Sequence, residues 1–208
     1  MKRKVFFLTL VAAIVLTTSV VGAAGYVYHC DFSEWNELKE GETLYHQNPR
    51  GMPVGWTFYM PQVPRTPDPE LGTIFEPTTD AHVGELAVRV VDNSLEHSIG
   101  LVSQDIPAAA DTRYLLTAWI KVIKCDPHDS IRVATWFRTS SGLVRDRTIV
   151  LNIPPGGDYE KVELLTKPSP AGTTGICIYI WSERAYTSEF LIDDVTVELE
   201  PKSLSLAL

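Results

Sequence analysis

Cysteine is scarce in this chain. The three present in 208 residues, Cys30, Cys125 and Cys177, form no Cys-x-x-Cys pair, which excludes a zinc ribbon and a disulfide-dense scaffold. The five histidines, His29, His46, His82, His97 and His128, are scattered without metal-type pairing. Gly-x-Ser-x-Gly, His-Glu-x-x-His and the Gly-rich phosphate loop are all missing, which removes the signatures of hydrolase elbows, zincins and P-loop enzymes. Positive charge is also short. Lys and Arg number 18 against 26 Asp and Glu, a formal charge of -8. So acidic a surface repels phosphate backbones and anionic headgroups, which argues against nucleic acid and membrane surfaces as partners.

The one long apolar run lies at the start. Lys2-Arg3-Lys4, then Val5 to Leu16, then small residues from Ser19 to Gly25 follow the order of a secretory signal peptide. Its apolar core is shorter than the roughly 20 residues of a spanning helix. The reading is a leader over 1–24, removed near Ala23 or Ala24, with no membrane insertion after cleavage and a secreted, extracytoplasmic mature chain. In that compartment three cysteines allow one disulfide and one spare thiol. Cys177 sits in an apolar strand pattern, so Cys30 with Cys125 is the first choice, although spacing alone does not select the pair.

Beyond the leader the hydrophobic period is two, in short runs divided by Gly, Pro, Asn and Asp, which is the pattern of an all-β chain. Strands are expected at 26–32, 56–60, 72–76, 85–92, 99–106, 114–123, 131–138, 147–152, 160–166, 175–181 and 189–198. That many short strands predict a two-sheet antiparallel jelly-roll sandwich, in which each sheet buries one face. Half of the 14 prolines fall between Pro49 and Pro77. Proline cannot donate to a ladder, so Met60 to Glu70 is expected as a surface loop or edge. The domain is placed at 25–199, with a tail at 200–208.

Alternation assigns faces. Ile131, Val133, Thr135 and Phe137 oppose Arg132, Ala134, Trp136 and Arg138. Ile176, Ile178 and Ile180 oppose Cys177, Tyr179, Trp181 and Glu183. Tyr114, Leu116, Ala118 and Ile120 oppose Leu115, Thr117, Trp119 and Lys121. The aliphatic sets are core candidates, and Trp56, after a proline turn, is another. The outer sets mix aromatic with polar side chains. Sugar rings present apolar C–H patches edged by hydroxyls, so such a surface suits them: rings stack while Arg, Lys and Glu make directional hydrogen bonds. Trp119, Trp136, Tyr179 and Trp181 are the expected stacking residues, with Lys121, Arg132, Arg138 and Glu183 as polar partners. Ser182-Glu183-Arg184 beside Tyr186 is read as surface charge rather than a catalytic remnant, so the protein is expected not to be an enzyme.

Several stretches in order resemble the secreted carbohydrate-binding modules of the galactose-binding-like jelly-roll type, the CenC-like group. They are Cys30-Asp31-Phe32, Met52-Pro53-Val54-Gly55-Trp56, Gly84-Glu85-Leu86-Ala87-Val88-Arg89-Val90, Ser103-Gln104-Asp105-Ile106-Pro107, Tyr114 to Lys121, and Phe190-Leu191-Ile192-Asp193-Asp194-Val195. The resemblance implies a jelly roll whose concave sheet binds polysaccharide or cell-surface glycan. It also implies a structural Ca²⁺ where the first strand, a loop before the Gly84 strand and the final acidic pair meet, with Asp31, Glu34, Asp80 and Asp193 as ligands. The first motif departs from the Asn-Gly-Asp-Phe-Glu start that members often have, with Cys30 before Asp31-Phe32-Ser33. The same fold serves in adhesion, so a structural envelope protein with a protein partner is the alternative.

Overall fold

A computed structural model describes residues 26–37, 51–61, 73–126 and 129–200. The leader, residues 62–70 of the loop expected over Met60 to Glu70, His46, His128 and the last eight residues fall outside them. Among the described residues there are strands and turns and no helix. The strands are β1 (Tyr26–Cys30), β2 (Trp56–Tyr59), β3 (Ile74–Thr78), β4 (Ala87–Asp92), β5 (Ile99–Ser103), β6 (Ile106–Pro107), β7 (Tyr114–Asp126), β8 (Ile131–Thr139), β9 (Gly142–Val150), β10 (Glu160–Leu165), β11 (Thr173–Ser182) and β12 (Thr187–Leu199).

Two antiparallel sheets form the sandwich. The first runs β10-β7-β12-β4-β3, with β1 and β4 sharing one edge of β12; the second runs β2-β5-β11-β8-β9, with β6 joining β11 beyond β5. Each expected strand is present, and the run at 99–106 is divided into β5 and β6. The interruption falls at Gln104, whose N–H bonds the Gly55 carbonyl at 2.7 Å, and at Asp105, whose side chain turns to Arg138. Strand β9 begins earlier than alternation predicted because β8 returns through a tight turn. Thr139 pairs with Gly142, whose φ of 119° suits only glycine, and the Thr139 hydroxyl ties the turn to the Gly142 carbonyl.

The aliphatic faces meet as expected. Leu116, Ile120, Phe190, Ile192 and Val195 from the first sheet pack against Phe58, Leu101, Val133, Phe137 and Ile178 from the second, all buried. Trp56 is fully buried against Phe32, with ring centroids 5.5 Å apart. The acidic pair at 193–194 keeps β12 in phase with this core. Asp194 takes φ 46° and the register with β7 shifts between Asp193 and Thr196, a bulge that lets both Ile192 and Val195 face inward.

No disulfide joins any two of Cys30, Cys125 and Cys177, which corrects the expected Cys30–Cys125 bridge. Cys30 lies opposite Val195 and Cys125 opposite Ser188, at different points along β12. Seven residues of strand separate those points by about 20 Å, well beyond the reach of a disulfide.

One buried carboxyl stands out at the end of β4. Asp92 has no exposed surface, accepts the Ser94 N–H at 2.9 Å, and leaves Oδ2 without a hydrogen-bond partner. Burial pushes it from 3.8 up to about 7. Between those values the folded chain holds a proton that the unfolded chain has lost, so stability falls as pH rises from about 4 to about 7 and is level above that. Asp92→Asn removes this dependence. The variant should exceed the wild type in chemical-denaturation stability at pH 8, by on the order of 4 kcal/mol, with the gap closing by pH 4.

Candidate functional site

The outer face of the second sheet carries a dense set of large side chains. Registered partners in adjacent strands point to the same side, so the pairing gives the rows directly. Tyr59, Gly100, Trp181, Arg132 and Val150 form one row from β2 to β9; Thr57, Val102, Tyr179, Ala134 and Thr148 form the next. Cys177, Trp136 and Arg145 form a third, and Arg138 follows Trp136 along β8.

The rings in these rows touch. Tyr59 meets Tyr179 edge-on at 5.1 Å and Trp181 at 5.8 Å, and Trp136 meets Tyr179 at 5.3 Å with 39° between the planes. Gly100 lies between Tyr59 and Trp181 in register, and a Cβ there would stand 2.4 Å from the Trp181 Cα. Its missing side chain is what lets those two rings meet. Tyr179 and Trp181 keep only 9% and 8% of their surface exposed, whereas Trp136 and Tyr59 are half-buried. The expected stacking residue Trp181 therefore belongs to the floor of an aromatic pile. Trp136 and Tyr59 present the more accessible rings. Tyr59 escaped the sequence reading although alternation from Trp56 already placed it on the outer side.

Polar groups border the pile. Arg138 Nε donates to Asp105 Oδ2 at 2.9 Å, which holds the Asp105 carboxyl low, and Asp105 Oδ1 accepts from the Cys177 thiol at 2.8 Å. Burial, followed by the adjacent Asp105 carboxylate, pushes that thiol up to about 12, so a thiolate nucleophile is not available at neutral pH. Arg132 lies 3.8 Å from Glu183 and also donates to the Asp129 carbonyl; Glu183 accepts from the Ser98 hydroxyl at 3.2 Å. Arg145 donates through Nε and Nη2 to the Thr148 hydroxyl at 3.1 and 2.7 Å. The Tyr59 hydroxyl is raised by burial and by Glu183, and lowered by Arg145. Tyr59 and Arg145 stand on the two edge strands, so charge from both edges converges over the face. Burial likewise raises Tyr179 to about 12. Asp105 and Arg145 were not among the expected site residues; the β8–β9 register shift beside Trp136 moves Arg145 onto the outer face, a change of phase that alternation does not reveal.

Trp119 and Lys121 do not join this platform, a correction to the single face expected for all four stacking residues. Strand β7 hydrogen-bonds to β10 and β12, so its outer side belongs to the opposite sheet. There the His82 ring stacks on Trp119 at 3.8 Å and 15°, Lys121 pairs with Asp80 at 2.8 Å, and the Tyr159 hydroxyl donates to the Asp80 carbonyl at 2.6 Å. These contacts fasten the β3–β4 connection to the sheet.

The four expected calcium ligands do not form a set. Asp31 accepts from the Ser33 N–H and hydroxyl, and with Glu34 it lines a cavity of about 300 Å³ whose lining includes neither Asp80 nor Asp193. Asp80 is engaged by Lys121. Asp193 is fully buried, and its two oxygens accept the N–H groups of His82 at 2.7 Å, Val83 at 2.9 Å and Asp194 at 2.7 Å. Burial raises its pKa, opposed by those three amides. A hard cation needs six to eight converging oxygens, and among the described residues no group of three or more His, Cys, Asp or Glu is placed to hold a metal. Asp193 instead clamps the His82–Val83 backbone. Asp193→Ala should lower stability by about 1–3 kcal/mol in thermal or urea unfolding, whereas calcium and chelator should leave the wild-type melting temperature unchanged.

No protein-family model matches this sequence, and no curated protein resembles it in sequence. Solved structures share its fold. The CBM22-1 xylan-binding domain from Paenibacillus barcinonensis Xyn10C is 13% identical with a TM-score of 0.53, covering 86% of this chain and 97% of that one. The CBM22-1–GH10 modules of Clostridium thermocellum Xyn10B in complex with xylohexaose are 14% identical with a TM-score of 0.52, over 86% of this chain and 29% of that one. The enzymatically active domain of bacteriophage CBA120 tailspike protein 4 is 13% identical with a TM-score of 0.52, over 70% of this chain. This chain matches 19% of the tailspike's length. The sandwich is thus the jelly roll seen in carbohydrate-binding modules.

Proposed function

We propose that this chain is a secreted, non-catalytic carbohydrate-binding protein that holds a polysaccharide or cell-surface glycan against the outer face of its second sheet. The observation that carries this reading is the aromatic pile of Tyr59, Trp136, Tyr179 and Trp181, bordered by Arg132, Arg138, Arg145, Asp105 and Glu183 on one sheet. An aromatic surface edged by charged hydrogen-bonding groups matches the two-sided chemistry of a sugar ring. Support also comes from the fold, shared with a domain named for xylan binding.

In this arrangement Trp136 and Tyr59 stack on sugar rings, Tyr179 and Trp181 hold them at fixed height, and Arg132 and Arg138 with Glu183 read hydroxyls. A half-buried ring at the top of the pile contributes more to binding than to the fold, whereas a ring in the floor contributes to both. Trp136→Ala should therefore weaken adsorption to a bound polysaccharide about tenfold or more with little change in melting temperature. Trp181→Ala should weaken binding and also destabilise the fold by about 3–5 kcal/mol. A glycan array and insoluble-polysaccharide pull-down of the mature chain measure the first effect, and thermal unfolding measures the second. Binding to no glycan would overturn the reading and direct the search to a protein partner in the envelope.

A further inference from the structure

Cations on the outer strand faces of this acidic protein are largely matched by acids. Arg89 pairs with Glu76 and Glu189, Lys121 with Asp80, Lys161 with Glu163, and Arg138 with Asp105. Arg145 is arranged differently. It is exposed and sits directly across from Trp136 in the β8–β9 register. Its Nε and Nη2 rest on a neutral acceptor, the Thr148 hydroxyl, and among the described residues it forms no ion pair. The neighbouring acid, Asp146, is occupied: Oδ2 accepts from the Thr135 hydroxyl and Oδ1 from the Lys167 N–H. The guanidinium is thereby steered beside the ring expected to stack a sugar, with Nη1 and the remaining Nη2 proton uncommitted.

We propose that Arg145 is a specificity-determining residue that binds the carboxylate of a uronic acid, and that the ligand is a largely neutral glycan carrying such groups at intervals. This rests on the glycan-binding reading of the same face. A fixed, planar guanidinium with free donors matches a carboxylate by charge and by geometry, whereas sugar hydroxyls do not require a third arginine on the face. The spacing of the ligand's charge follows from the rest of the chain. With a net charge of -8, the protein repels a continuous polyanion at long range, so recognition must come from a local contact to an isolated carboxylate.

The test measures affinities for a panel of uronate-bearing polysaccharides, glucuronoxylan and partly esterified pectin among them. Each is compared with its carboxyl-reduced form, with neutral glycans and with fully charged polygalacturonate. The expected result is a native form bound about tenfold more tightly than its reduced form, an advantage that shrinks with added salt. Arg145→Gln should abolish that advantage, bringing affinity for the native form down to that for the reduced form, with melting temperature unchanged, and Arg145→Lys should retain part of it. Trp136→Ala should weaken binding to both forms alike. Equal affinity for native and reduced forms, or binding to neutral glycans alone, overturns the carboxylate proposal and leaves the glycan reading standing. Tighter binding to polygalacturonate overturns the spaced-charge part. Absence of binding across the whole panel overturns the glycan reading, and this proposal with it.

Discussion

The constraint on which this structure turns is that strand β11 is apolar on both sides. Its inward residues Ile176, Ile178 and Ile180 complete the core, and its outward residues Cys177, Tyr179 and Trp181 are buried as well. A two-layer sandwich offers a central strand only one protected side, so the second side must be covered by its neighbours. Tyr59 from β2, Val102 from β5 and Trp136 from β8 lean over it and create a second, smaller apolar cluster on the outside of the sheet. Burying Tyr179 and Trp181 stabilises the fold, and the same packing holds the rings above them in the geometry a flat ligand requires.

The two outer faces have diverged in consequence. On the first sheet aromatic and charged groups are spent on one another: His82 lies on Trp119, Lys121 on Asp80, and Arg89 between two glutamates. That side fixes loops. On the second sheet the rings form a continuous surface, and some of the polar groups at its border keep bonding capacity in reserve. Asp193 illustrates how far the first sheet's chemistry is structural, since a fully buried carboxylate there serves backbone amides of a loop more than a hundred residues earlier.

Alternation revealed the strands and the buried faces of β7, β8 and β11, because period-two patterning is a local property of the chain, and the proline turn before Trp56 marked its burial. Which sheet a strand joins is not local. Nothing in the sequence of Trp119 or Lys121 states that β7 pairs with β12 while the next strand, β8, pairs with β11, so residues with the same pattern ended on opposite sides of the protein. Bulges hid the rest. Asp193-Asp194 has the composition of a cation site and acts as a phase correction in β12, and the shift beside Trp136 turned Arg145 outward. Tyr59, by contrast, was legible from its parity with Trp56. Fold class and core were written in pattern; the site depended on pairings between distant segments.

Gly100 carries a consequence for how the chain finds its fold. Because an added Cβ would stand 2.1 Å from the Ile180 carbonyl oxygen, the place opposite Trp181 accepts only a residue without a side chain. Strand β5 has one such residue. Sliding β5 along β11 by two positions would preserve its inward and outward faces, and with them nearly all the hydrophobic gain, yet would force Ser98 or Val102 into that space. The glycine thus works as a ratchet tooth: it penalises the misaligned pairings that alternation tolerates and leaves one alignment of the two strands.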